Sequence, residues 1–313
     1  MGRHETRSLT EGAMLAAITV LLSLLGAYVF PYVFFIVPVP LAILVYRHGL
    51  RQGILVAITS SLLAGILIHI STTVILLLVF GLVGVALGAA MGENLSAPRV
   101  LLIGVGASLI AYVLLILVSQ AFFGVNVMEM LLESFEISAD QISRVYEGLG
   151  MEPDQIAEAQ TMLQEMMAMM KRVLPATFLL SALLLAFLNF WLTRLILGRL
   201  GHEIGWFPPF AQWKFPWYTA WGYILGLGLP LVAKGDLAQT IASNLQILFT
   251  YFFLIQGLAL VWFLLDKYNI VGFMRGFILF LILLPGTAFS VFVIWAGLFD
   301  TWFDFRKLER AEN

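Results

Sequence analysis

Long continuous apolar runs, broken by short polar or basic stretches, fill most of this chain. A membrane-spanning helix needs about 20 apolar residues. By that measure the runs predict spans over Leu9–Val29, Tyr32–Tyr46, Gln52–His69, Thr72–Met91 and Val100–Phe122. After a polar interval come Leu174–Leu197, Trp217–Val232, Asn244–Leu265 and Met274–Phe299. Two of these are short and interrupted, the second by Pro38 and Pro40 and the seventh by Gly226, Gly228 and Pro230. Interrupted segments of this kind can mark binding sites in transporters. Ser8 and Glu11 fit a capping box that starts the first helix.

Composition supports the pattern. The 313 residues are 61% hydrophobic and only 12% charged, with a mean hydropathy of +0.97. In lipid the backbone must satisfy its own hydrogen bonds, which leaves helices or closed barrels. The apolar runs do not alternate, so the predicted class is all-α: a polytopic transmembrane helical bundle of eight or nine spans. The four predicted parts are a five-helix membrane part (1–123), an acidic extracytoplasmic helical insertion (124–172), C-terminal membrane helices (173–299) and an interfacial tail (300–313).

Charge position sets orientation. Arg3 and Arg7, Arg47 and Arg51, Arg99, and Arg194 and Arg199 all fall on one side, which the positive-inside rule makes cytoplasmic. The N-terminus is therefore expected inside and its apolar run uncleaved. Nine spans leave Arg306, Lys307 and Arg310 outside. Eight spans, with Trp217–Val232 re-entrant, return the tail inside but place Lys267 and Arg275 outside.

The insertion carries carboxylates from Glu129 to Glu165 against Arg144, Lys171 and Arg172. Ser138 with Gln141, and Pro153, predict starts of two or three short amphipathic helices there. Met162, Met166, Met167, Met169 and Met170 give the last of them a methionine stripe, either a packed face or an adaptable binding surface. The aromatic, charged tail around Trp302, Phe303 and Phe305 predicts a short helix lying in the interface.

Small residues recur four apart: Ala13 and Ala17; Gly53, Ala57, Ser61 and Gly65; Gly84, Gly88 and Gly92; Gly222 and Gly226. In lipid such faces let helices approach closely. Packing within the bundle accounts for the glycines. For Ala13 and Ala17, docking of a partner helix is the competing reading.

Two resemblances bear on this choice. The opening "TEGAMLAAITVLLSLLGAYVFPY" and the following "VPVPLAILVYRHGLRQGILVAITSSLLAGIL" resemble the substrate-binding S components of energy-coupling-factor vitamin transporters. That resemblance implies a first helix whose Ala-x-x-x-Ala face, here Ala13 and Ala17, contacts a transmembrane coupling subunit. Over the whole chain, "FLNFWLTRLILGRLG", "SNLQILFTYFFLIQGLALVWFLL" and "GLFDTWFDFRKL" resemble the YybS-like family of bacterial membrane proteins, which implies a multi-pass protein of the bacterial plasma membrane.

Candidate chemistry is sparse. Cysteine is absent, which removes thiol nucleophiles and thiolate metal sites. No Walker motif, no nucleophile–base constellation and no histidine pair at metal-ligand spacing occurs, so the chain is not expected to be an enzyme, and neither a metal nor another cofactor is expected. His69, Gln120 and Asn189 are the candidate ligand-binding residues. His69 has an interfacial alternative and the amides Gln120, Asn189, Asn244, Gln246 and Gln256 have helix–helix bonding as theirs. The expected partners are the lipid bilayer, membrane subunits and a small solute, and not nucleic acid. Two functions remain: an S-component-like protein that binds or transports a solute with partner subunits, or a non-catalytic scaffold or regulator of the cell envelope.

Overall fold

A computed structural model describes residues 3–148, 153–284 and 287–307. The described residues form helices and no strand. Seven helical segments are long and apolar enough to cross a membrane, eight if one bent pair is a single span, matching the predicted bundle in kind and nearly in number. Contacts divide the chain into two compact units, residues 1–164 with 178–206, and residues 165–177 with 207–313.

In the first unit, α1 (Arg3–Tyr28) leads through a 3-10 turn (Pro31–Ile36) to α2 (Pro38–His48) and α3 (Leu50–Leu67). Ser8 and Glu11 lie inside α1 rather than at its start. Glu11 is instead drawn to α2, where Arg47 Nη1 and His48 Nε2 lie 2.6 and 2.9 Å from its two oxygens. The predicted fourth span is three pieces: α4 (Ile70–Ile75), a π turn (Leu76–Gly81) and α5 (Leu82–Gly92). α6 (Ala97–Phe123) follows and ends on Gly124 in the left-handed region.

α2 is the centre of this unit, with Pro38 through Val45 all buried. A helix apolar all round must be covered all round. α5 covers one side at backbone distance: a Cβ on Gly84 would lie 2.7 Å from the Pro38 carbonyl oxygen, and one on Gly88 would lie 2.4 Å from that of Ala42. Gly84 and Gly88 thus serve packing within the bundle, whereas a Cβ on Gly92 would meet nothing within 4 Å.

α7 (Val127–Gly148) runs unbroken past Ser138, whose hydroxyl donates to the Ser134 carbonyl instead of starting a helix. α8 (Pro153–Arg199) begins at Pro153 and continues for 47 residues. The insertion is therefore one separate helix plus an extension of the sixth span. Helix propensity across the Met-rich segment carries the rod through.

The second unit contains α9 (Thr219–Val232), α10 (Asp236–Lys267), α11 (Gly272–Leu283) and α12 (Ala288–Phe303). The predicted ninth span is divided into α11 and α12, which meet at 94°. α10 and α12 cross glycine to backbone. A Cβ on Gly257 would lie 2.0 Å from the Val293 oxygen, and one on Gly297 would lie 2.1 Å from the Phe253 oxygen. Ala220, Tyr223, Phe253 and Leu298 close the core around this crossing. The expected interfacial tail is partly α12 itself, which extends to Phe303 and buries Asp300. The end of the tail, 308–313 with Arg310, lies outside the described residues.

Candidate functional site

Ala13 and Ala17 lie on the exposed side of α1, together with Met14, Ile18, Leu21 and Leu25. The opposite side carries Gly12, Leu15, Thr19 and Ser23, all buried. Gly12 faces Val56 of α3, and the Thr19 and Ser23 hydroxyls donate back to carbonyls one turn earlier. The inner face is thus satisfied within the unit. The outer face has a shallow notch, two alanines among large side chains.

The three predicted ligand-binding residues lie apart in burial and bonding. His69 is exposed and caps α4, its Nδ1 accepting from the Ser71 backbone N–H at 3.3 Å and lying 2.8 Å from the Ser71 hydroxyl. Gln120 is exposed near the end of α6. Asn189 is fully buried on α8. No hydrogen bond joins them among the described residues.

Asn189 donates to the Phe35 carbonyl at 2.8 Å and to the Leu185 carbonyl at 2.8 Å. The first of these has a local cause. Pro38 removes the N–H that would close the next 3-10 turn onto Phe35, and the asparagine supplies a donor. Among the described residues its Oδ1 has no partner, nor does the hydroxyl of Thr193, also fully buried and one helical turn along the same face. The buried hydroxyls of Ser60 and Ser108 donate to their own helices. Thr193 does not, so α8 presents two unused polar oxygens to the interior of the first unit.

The second unit holds a charged centre that the sequence reading missed. Arg306, beyond α12, folds back so that its Nη2 and Nε lie 2.6 and 3.1 Å from Asp300 Oδ2. Both side chains are fully buried. The guanidinium also donates to the Ala211 and Trp213 carbonyls at 2.7 and 2.8 Å. Gln256 of α10 donates to Asp300 Oδ2 at 3.2 Å and accepts from the Phe215 N–H at 2.8 Å. Among the described residues Asp300 Oδ1 has no partner. An ion pair this dry survives because each guanidinium nitrogen has an acceptor. The clasp ties three segments, α10, the end of α12 and the Pro-rich loop 207–218. A Gln in mid-span, a downstream Asp and an Arg six residues on were its only visible signal; read as an amphipathic tail, they pointed to the surface.

Asn244 of α10 forms a third amide site. Pro175 breaks the ladder of α8. The amide of Asn244 stands between Arg172 and Ala176, donating to the Arg172 carbonyl at 2.6 Å and accepting from the Ala176 N–H at 2.7 Å. In an unbroken helix those two groups would bond each other as one rung. Arg172 reaches the other way to Asp236, at 3.2 Å.

Among the described residues no three His, Cys, Asp or Glu side chains are grouped to hold a metal ion. The arrangement is one of packing faces and satisfied amides, with a few buried oxygens left over.

Comparison with known proteins agrees with this architecture. The uncharacterized protein YybS of Bacillus subtilis (strain 168) is 24% identical over 272 residues, 84% of this chain and 86% of that protein. No solved structure matches the chain. Residues 17–301 match DUF2232, described as a predicted membrane protein, and over that extent the chain belongs to the DUF2232 family.

Proposed function

We propose that this protein is a non-catalytic membrane subunit that binds a small solute and works with a partner subunit docked on α1. The observation that carries the reading is the outward position of Ala13 and Ala17. A helix face meeting only lipid gains nothing from small side chains, whereas a partner helix gains close backbone approach. The likeness of the first helices to S components of energy-coupling-factor transporters agrees with that use. Asn189 Oδ1 and Thr193 Oγ1 support the solute half of the reading. Buried oxygens without partners are costly unless a donor reaches them.

The docking claim is tested by a photo-cross-linker placed at Ala13 in native membranes. A cross-link to one defined chain, lost on Ala17→Trp, is expected. A cross-linking pattern unchanged by Ala17→Trp sinks it. The solute claim is tested by a thermal-shift screen of metabolites on purified protein. A hit should lose its effect in Thr193→Val, and a hit equally effective on that variant places the solute elsewhere.

A second reading, an envelope scaffold, is favoured by one observation. Met162, Met166 and Met169 are exposed along the N-terminal half of α8, a flexible apolar stripe of the kind that fits varied partners. Replacing the three by serine should then abolish partner cross-links from α8 while those from α1 persist.

A further inference from the structure

The end of α8 builds a hollow that neither the small face of α1 nor the clasp uses. α8 stops in a Schellman motif: Gly201 takes φ +86°, the His202 N–H donates to the Leu197 carbonyl at 3.0 Å, and the Gly201 N–H donates to that of Gly198 at 3.1 Å. This reversal lays residues 202–205 back beside the last helical turn. Between them lies an open hollow of about 710 Å³ lined by Arg194, Gly198, Arg199, His202, Glu203 and Gly205, among others. Gly198 and Gly205 border open space, since a Cβ on either would touch nothing within 4 Å.

Arg194 is held in place there. Its Nε donates to the Ile204 carbonyl at 3.1 Å, and its guanidinium carbon lies 4.8 Å from the centre of the Trp206 ring. Those contacts use one N–H and one face, and its terminal nitrogens make no ion pair among the described residues. Neither does Arg199, and Glu203 pairs with neither arginine. The His202 ring is fixed edge-on to Tyr46 at 5.2 Å. Two guanidinium groups, an imidazole and one carboxylate thus border one concavity, and among the described residues neither guanidinium is held in an ion pair. Leu195, Ile196 and Leu200 are exposed beside it, on helix surface apolar enough for lipid chains.

We infer that this hollow binds a phosphate-bearing anion, the headgroup of an anionic phospholipid seated against the apolar end of α8. Guanidinium pairs suit phosphate oxygens by bidentate donation, and basic hollows at the cytoplasmic ends of spans are where such headgroups collect. A phosphodiester headgroup is small enough for the space. The flanking leucines and isoleucine favour a lipid over a free ion.

The test uses the full chain in neutral detergent, with apparent unfolding temperature read against added short-chain phosphatidylglycerol, phosphatidylcholine or inorganic phosphate. Phosphatidylglycerol is expected to stabilise, phosphatidylcholine not. Each arginine lost, in Arg199→Gln and then Arg194→Gln with Arg199→Gln, should weaken the apparent affinity by roughly fivefold. Arg199 is exposed, so its single variant keeps the test valid if the double variant does not fold. Lys234→Gln, in the other unit, serves as the control. Stabilisation by inorganic phosphate equal to that by the lipid makes the site one for a free anion and removes the lipid from the inference. Equal stabilisation by phosphatidylcholine, no stabilisation by either anion, or an Arg199→Gln response identical to the parent's overturns it.

Discussion

The amides in this protein work as backbone substitutes. Asn189 supplies a donor to a carbonyl that Pro38 has stranded, and Asn244 replaces a helical rung beside Pro175. In lipid no water would serve those groups, so the side chain is the alternative to a broken helix. Asn244→Ala should therefore cost about 1–3 kcal/mol of stability, because the Arg172 carbonyl and the Ala176 N–H beside Pro175 both lose the amide as a partner. Thermal unfolding in detergent measures it, and a loss no larger than that of an exposed alanine substitution contradicts the account. The clasp follows a different logic. Arg306→Met leaves Asp300 charged and buried, at a cost of about 3–5 kcal/mol. Asp300→Leu combined with Arg306→Met removes both charges and should cost distinctly less than Arg306→Met alone. A double variant weaker than either single one would show that the pair stabilises by its own attraction rather than by mutual neutralisation.

Helix pairs here meet where side chains are missing. α5 rests on the carbonyls of α2 through Gly84 and Gly88, and α10 and α12 touch backbone to backbone through Gly257 and Gly297. Dispersion between close-set helices replaces the hydrophobic drive that lipid does not provide. Gly297→Val should force α10 and α12 apart, costing about 1–3 kcal/mol. Gly276→Ala, in α11 with nothing within 4 Å of the added methyl, should be neutral or slightly stabilising through helix propensity. Comparing the two unfolding temperatures checks this, and equal effects would refute the packing argument. α1 differs from these helices because its glycine and hydroxyl face is turned inward while Ala13 and Ala17 are turned out. The same residue type thus has two uses, separated only by rotation about the helix axis.

Across the whole molecule the basic residues predict that the N-terminus and the break after α5 are cytoplasmic, and that α7 is outside. The absence of cysteine makes this directly measurable. Ser138→Cys, exposed on α7, should react with an impermeant maleimide in intact cells. Ser96→Cys, exposed before α6, should react only after permeabilisation. Reversed labelling overturns the orientation. α8 contributes residues to both compact units, and the chain passes between them again after Trp206.

Composition and the length of each apolar run determined the membrane class, the helical fold and most span boundaries. Those properties depend on transfer of whole segments into lipid, a sum over many residues that needs no neighbours to be evaluated. The glycine repeats were legible as packing faces for the same reason, since spacing alone puts them on one side of a helix. Only the tertiary structure decided which way each face turns, so Ala13 and Ala17 became outward-facing and Gly12 inward-facing. It also decided that Glu11 meets α2 rather than capping α1. Most hidden was the clasp, whose Asp300 and Arg306 have the spacing and aromatic company of a surface tail. Their burial depends on carbonyls nearly a hundred residues away and on Gln256 in another helix. A buried charge is tolerable only when distant groups converge on it, and convergence is a property of the fold rather than of any local stretch.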